Sequence, residues 1–110
     1  MDLNTYIDLE RSHRRKGAEA KKVQTEAVAW EVKRQFKSLR LERINKVTFI
    51  WRHKDKRKDL DNVEFSQKFI WDGMVMAHLI PGDGWKHRPP RTLHKHEVDA
   101  NNPGCTVIIK

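Results

Sequence analysis

Residues 57–86, RKDLDNVEFSQKFIWDGMVMAHLIPGDGWK, hold the side chains of this chain best suited to chemistry. Asp59 and Asp61 stand one residue apart with Asn62 directly after them, Lys68 and Asp72 follow, and Asp83 sits in a Gly-Asp-Gly turn before Trp85-Lys86. Carboxylates beside a basic rim suit a magnesium site for phosphate chemistry. Mg²⁺ prefers hard oxygen ligands in an octahedron and commonly takes one or two carboxylates together with water and substrate phosphate. Asp59, Asp61 and Asp83 are the leading ligand candidates, Asp72 is the reserve, and Glu97 and Asp99 rank well behind. Such ions would activate water and clamp a scissile phosphate, with Lys68 adding charge stabilisation.

A helix must position part of this set. If one starts near Asp61, then Lys68 and Asp72 each return to within about 20° of the Asp61 direction, with Phe65 between them. Asp59 precedes that helix, and Asp83 reaches the others only through tertiary folding. Structural roles compete with the chemical ones. Asp61 can cap the helix, Lys68 and Asp72 form an i,i+4 pair worth about 0.3–0.5 kcal/mol, and Asp83 is an ordinary turn former.

The remaining elements follow from pattern. A helix is expected over 61–80, packed through Phe65, Phe69, Ile70, Met76 and Leu79 and ended by Pro81-Gly82. Residues 18–43 carry Val28, Val32, Phe36 and Leu39 at helical spacing with neither Pro nor Gly, which predicts a second long helix. Residues 46–53 read as a strand with both faces largely apolar, and 105–110 as its partner. A further helix is expected in 2–16, capped by Asp2 or Asn4. Residues 85–96, WKHRPPRTLHKH, are expected to be irregular because of Pro89-Pro90, and the alternating His94 and His96 make only a weak zinc pattern. These elements predict an α+β fold: a small mixed β-sheet packed by two main helices.

At 110 residues the chain makes one domain, small enough that oligomerisation would help it bury a core. Its net charge of +8 suggests a polyanionic partner. The charge is uneven: residues 1–58 hold 17 Lys and Arg against 8 Asp and Glu, or +9, whereas 59–110 hold 6 against 7, or −1. Arg14, Arg15 and Lys16 form one basic cluster, Lys54, Lys56, Arg57 and Lys58 form a second that abuts Asp59, and Lys86 follows the acidic turn. Each can grip a phosphate backbone or simply solvate a surface. The single Cys105 excludes an internal disulfide and fits a reducing compartment. No apolar run approaches the ~20 residues needed to span a membrane, and the N-terminus lacks the apolar core of a signal peptide; both fit a cytoplasmic protein.

In Asp59-Leu60-Asp61-Asn62, Lys68, Asp72 and Gly82-Asp83-Gly84-Trp85-Lys86 the chain resembles the RusA-like Holliday-junction resolvases, in particular the short versions of phages and prophages. The likeness is concentrated in about thirty residues and extends weakly to Leu3–Lys22 and the C-terminal strand. The gap from Asn62 to Lys68 is about one helical turn longer than in the best-known member, and Gly82 stands where a second loop acid can occur. The resemblance implies one RusA-like domain over 1–110 and a homodimer acting in a prokaryotic cell or phage-infected host. It also implies Mg²⁺-dependent cleavage of branched DNA, typically four-way junctions, leaving 5′-phosphate and 3′-hydroxyl ends. Two other readings remain open: a basic non-catalytic DNA-binding protein, and an Mg²⁺ nuclease preferring RNA or flaps.

Overall fold

A computed structural model of the chain describes residues 2–5, 18–57 and 59–110. Its elements in order are β1 (Asp2–Thr5), α1 (Ala18–Phe36), β2 (Val47–His53), α2 (Leu60–Phe65), α3 (Gln67–Met76), β3 (Leu93–Val98) and β4 (Gly104–Ile109). The strands form one mixed sheet in the order β1-β4-β2-β3. The expected pairing of 46–53 with 105–110 is present and antiparallel, Val47 opposite Ile109 and Trp51 opposite Cys105. β3 runs parallel to β2, with Phe49 opposite His94 and Trp51 opposite His96.

Alternation decides which face of the sheet is covered. Val47, Phe49 and Trp51 of β2 and Cys105, Val107 and Ile109 of β4 are buried together with Val28 and Val32 of α1 and Ile70, Trp71 and Met74 of α3. The helices therefore lie on one side of the sheet, in two layers. The opposite face (Thr48, Ile50 and Arg52 against Thr106 and Ile108) is half-buried, so β2 buries one face fully and the other only in part, where its apolar pattern suggested cover on both sides. The Arg52 guanidinium bonds Thr106 Oγ1 and the Asn102 carbonyl across this open face. Burial in the core pushes the Cys105 thiol up to about 12. Among the described residues no helix is long and apolar enough to cross a membrane.

Several boundaries differ from the pattern-based expectation. The first long helix stops at Phe36, where Lys37 takes a left-handed φ of 52° and its amide still bonds Lys33 O at 3.0 Å. Leu41 and Ile44 continue the apolar pattern as non-helical packing residues, their amides bonding Leu79 O at 2.7 Å and His87 O at 2.9 Å. The second helix breaks at Ser66, where Ser66 N→Val63 O and Phe69 N→Ser66 O, both 3.0 Å, tighten the chain into a 3₁₀-type step. It ends before Leu79 and Ile80, which are buried in the turn that follows His78 at φ 63°. Residues 2–5 are a strand rather than the start of a helix, because β4 has a free edge that they fill, Leu3 opposite Val107. Residues 93–98 are a strand as well, carried on the parallel edge of β2 despite having only Val98 as a β-branched residue. The remainder of the expected 2–16 helix lies outside the described residues.

Candidate functional site

Asp59 and Asp61 sit where β2 passes into α2. Asp59 is the N-cap, extended at φ −68° and ψ 127°, and its Oδ1 accepts the Asp61 amide at 2.8 Å. Asp59, rather than Asp61, thus takes the capping role, and Asp61 stands in the first turn with an exposed side chain. The second oxygen of Asp59 has no hydrogen-bond partner among the described residues. Because β2 and β3 are parallel and linked through α2 and α3, this pair lies at the carboxyl ends of both strands, the end where β–α units gather ligands. Replacing Asp59 by alanine is expected to lower stability by about 1 kcal/mol and by asparagine hardly at all, since asparagine caps as well as aspartate; paired urea melts measure this.

The loop before Asp59 is basic. Lys54, Lys56 and Arg57 are exposed, and Arg57 makes a loose 3.6 Å ion pair with Asp55 whose side chains are 90% and 43% exposed. Such a pair leaves the guanidinium available to a phosphate. Lys58 lies outside the described residues, as do Arg14, Arg15 and Lys16.

The other candidates are spread along the fold. Lys68 is exposed and Asp72 half-buried. On one unbroken helix they would stand about 10 and 16 Å along the axis from Asp61, and the break at Ser66 puts them on α3 while Asp61 is on α2, so the expected shared edge does not make a shared metal site. Asp83 and the exposed Lys86 belong to the turn that packs beside 41–44, where Arg43 Nη1 donates to Trp85 O at 2.7 Å and His87 Nδ1 bonds Glu42 O at 2.9 Å. That turn adjoins the start of β2, whereas Asp59 follows its end, and seven extended residues span roughly 20 Å. Asp83 instead lies within electrostatic reach of Arg88, whose guanidinium stacks 4.2 Å above the Trp71 ring. Glu97 is exposed, and Asp99 closes the turn after β3 by accepting the Asn102 amide at 3.2 Å. Among the described residues, no three His, Cys, Asp or Glu side chains are gathered closely enough to hold one ion.

Beneath the Asp59–Asp61 turn lies a polar chain that the sequence pattern did not single out. Glu64 Oε2 accepts from His96 Nε2 at 2.6 Å, and His96 Nδ1 meets His53 Nε2 at 2.8 Å. A carboxylate only accepts, so His96 carries its proton on Nε2, and in the neutral ring Nδ1 accepts from His53. Below it Trp51 Nε1 donates to His94 Nδ1 at 2.9 Å, and His94 Nε2 meets Thr92 Oγ1 at 2.8 Å. Burial pushes the His94 imidazole below its usual value, which keeps Nδ1 free to accept the indole proton; Glu64 opposes this shift and His96 adds to it. With both nitrogens of each ring bonded to protein, His96 ties β3 to α2 and β2 and His94 ties β3 to β2, so the two rings are braces rather than a zinc pair. The spacing of Glu64, Gln67 and Trp71 on one helical face and of the two histidines on one strand face was the available signal. It became readable only once 93–98 was known to be a strand. No protein-family model matches the chain, and no curated protein matches it.

Proposed function

We propose that this chain is an Mg²⁺-dependent endodeoxyribonuclease of the RusA-like kind, cutting branched DNA, with four-way junctions as its main substrate, and working as a homodimer in the cytoplasm of a prokaryotic cell or phage-infected host. One observation carries the reading: two exposed carboxylates one residue apart, Asp59 and Asp61, stand at the carboxyl end of a parallel β–α–β unit directly behind a basic loop.

The donor set fits the ion. Both side chains offer hard oxygens, and two carboxylates suffice when water and substrate phosphate complete the octahedron. When bound, Mg²⁺ would supply an activated water and neutralise charge on the leaving 3′ oxygen. The chain's own residues do the rest. The Asp59 cap fixes the direction of one carboxylate, and Asp61 presents the other a residue later. Lys54, Lys56, Arg57 and Lys58 hold the phosphate backbone against them, and Lys68 adds positive charge from the first turn of α3. The ligand pair within one chain is Asp59 and Asp61; among the described residues no third acid is gathered with them closely enough to share an ion.

The test is a labelled four-way junction and a sequence-matched linear duplex, each incubated with the protein with and without Mg²⁺. Paired nicks on the junction alone, dependent on Mg²⁺ and leaving 5′-phosphate ends, are expected. Binding without cutting under every condition would replace the enzyme with a basic DNA-binding protein. Equal cutting of the duplex, or preferred cutting of an RNA or flap control, would keep the nuclease and discard the junction.

A further inference from the structure

Phe65, the last residue of α2, is an exposed aromatic ring. Of the four phenylalanines, Phe49 is fully buried and Phe36 and Phe69 are half-buried, whereas Phe65 is 68% exposed. It follows Asp61 by four residues in α2, which puts it about 40° round and 6 Å along the helix from that carboxylate. Lys68 is exposed just past the Ser66 break, in the first turn of α3, and the Lys54–Arg57 loop leads into α2 from its N-terminal side.

We propose that Phe65 is a stacking platform for a nucleobase beside the phosphate held at Asp59 and Asp61, so that the site selects DNA in which a base near the cut is unstacked. The proposal rests on the nuclease reading above and supplies what that reading lacks, a physical reason for choosing branched over linear DNA. In a linear duplex the base faces are covered by their neighbours; at a branch point they can be opened at small cost. An aromatic ring takes any base, because every base has a π-face, and the stack is strengthened by nearby cations. Between 54 and 68 five cations (Lys54, Lys56, Arg57, Lys58 and Lys68) stand against four acids (Asp55, Asp59, Asp61 and Glu64), and an ion held by Asp59 and Asp61 would turn this balance toward a polyanion over an apolar protein surface as the occupant.

The experiment compares wild type with Phe65→Leu, which keeps apolar volume and loses the ring, and Phe65→Trp, which keeps a ring. Affinities for the four-way junction and the linear duplex are measured at fixed salt in Ca²⁺, so that binding is read without cutting, with 2-aminopurine at the branch reporting base stacking. The junction-to-duplex affinity ratio is expected to fall about tenfold in Phe65→Leu, the size of one lost base–aromatic stack. It is expected to be kept in Phe65→Trp, with the 2-aminopurine signal following the ring. Melting temperatures of the variants exclude misfolding as the cause.

An unchanged ratio in Phe65→Leu overturns the proposal. So does parallel weakening on both substrates accompanied by a shift from dimer to monomer in sedimentation, which would assign the ring to contact between copies. Wild-type protein that shows no preference for the junction discards the branched-DNA part of the reading above, and that outcome is visible before any variant is compared.

Discussion

Replacing Asp61 by asparagine is expected to lower the single-turnover rate of junction cutting by about 10³-fold or more while leaving folding and DNA binding intact. The magnitude follows from the role. A carboxylate that holds the ion supplies several kcal/mol of transition-state stabilisation, and each 1.36 kcal/mol is a factor of ten. The selectivity follows from the geometry. Asp59 makes the cap, so the Asp61 side chain carries no structural bond among the described residues and is exposed. Stability should therefore stay within about 0.5 kcal/mol of wild type, as for surface positions generally. Junction affinity should hold or tighten slightly, because one negative charge is removed beside the phosphate backbone while the basic loop is untouched. Cleavage rates, melts and binding isotherms on one preparation separate these effects. Wild-type cutting by Asp61→Asn would place the ligands elsewhere and end the nuclease reading of this motif.

The central strand pair and the position of the acidic motif were legible in the sequence, because β-branched and aromatic runs at 46–53 and 105–110 have few alternatives to pairing. The ends of the helices were not. Leu39, Leu41 and Ile44 continue a helical apolar pattern, yet they pack as loop, since a buried loop needs apolar anchors as much as a helix does. The strand at 93–98 was hidden for a different reason. On an edge strand half the side chains face solvent, so Lys95 and Glu97 mask the period-2 signal, and the inward positions are histidines rather than aliphatics.

The candidate site was half legible. A helical wheel gives direction but not distance and assumes an unbroken helix, and so it grouped Asp61, Lys68 and Asp72, which the break at Ser66 divides between α2 and α3. The position of Asp83 depended on which end of β2 the 81–88 turn packs against, and no local pattern encodes that. Glu64 and His96 escaped for the same reason. Their 2.6 Å contact joins residues 32 positions apart through a strand pairing that had not been foreseen.

Gly73→Ala is the substitution expected to do the most damage to the fold, although local propensity alone predicts the opposite. In the interior of an exposed helix this change would gain about 1 kcal/mol. Gly73 is buried, however, where α3 crosses α1, and an added Cβ would clash with Val28 Cγ1 and lie 2.6 Å from Val28 Cβ and 3.0 Å from the Ala29 amide nitrogen. None of these atoms can move cheaply. Valine in a helix is confined largely to one χ1 rotamer, and the other neighbours are a Cβ and backbone, so relief requires α1 and α3 to separate. Separation would loosen the packing of Val28 and Val32 on Ile70 and Met74, in the middle of the buried cluster. Overpacking of this kind costs about 1–3 kcal/mol and sometimes more, and the absence of a flexible neighbour puts this site at the upper end. A net loss of about 2 kcal/mol, or a fall of roughly 10 °C in Tm, is the expected result. Combining it with Val28→Ala removes the Cγ1 clash but not the Cβ contact, so the double variant should lose at least about 1 kcal/mol less than the sum of the singles, the non-additivity that marks direct contact. A neutral or stabilised Gly73→Ala, or strict additivity with Val28→Ala, would mean that the two helices do not approach this closely. The glycine would then be only a weak point in α3, and the buried layer that holds α2 and α3 over the sheet would need another basis.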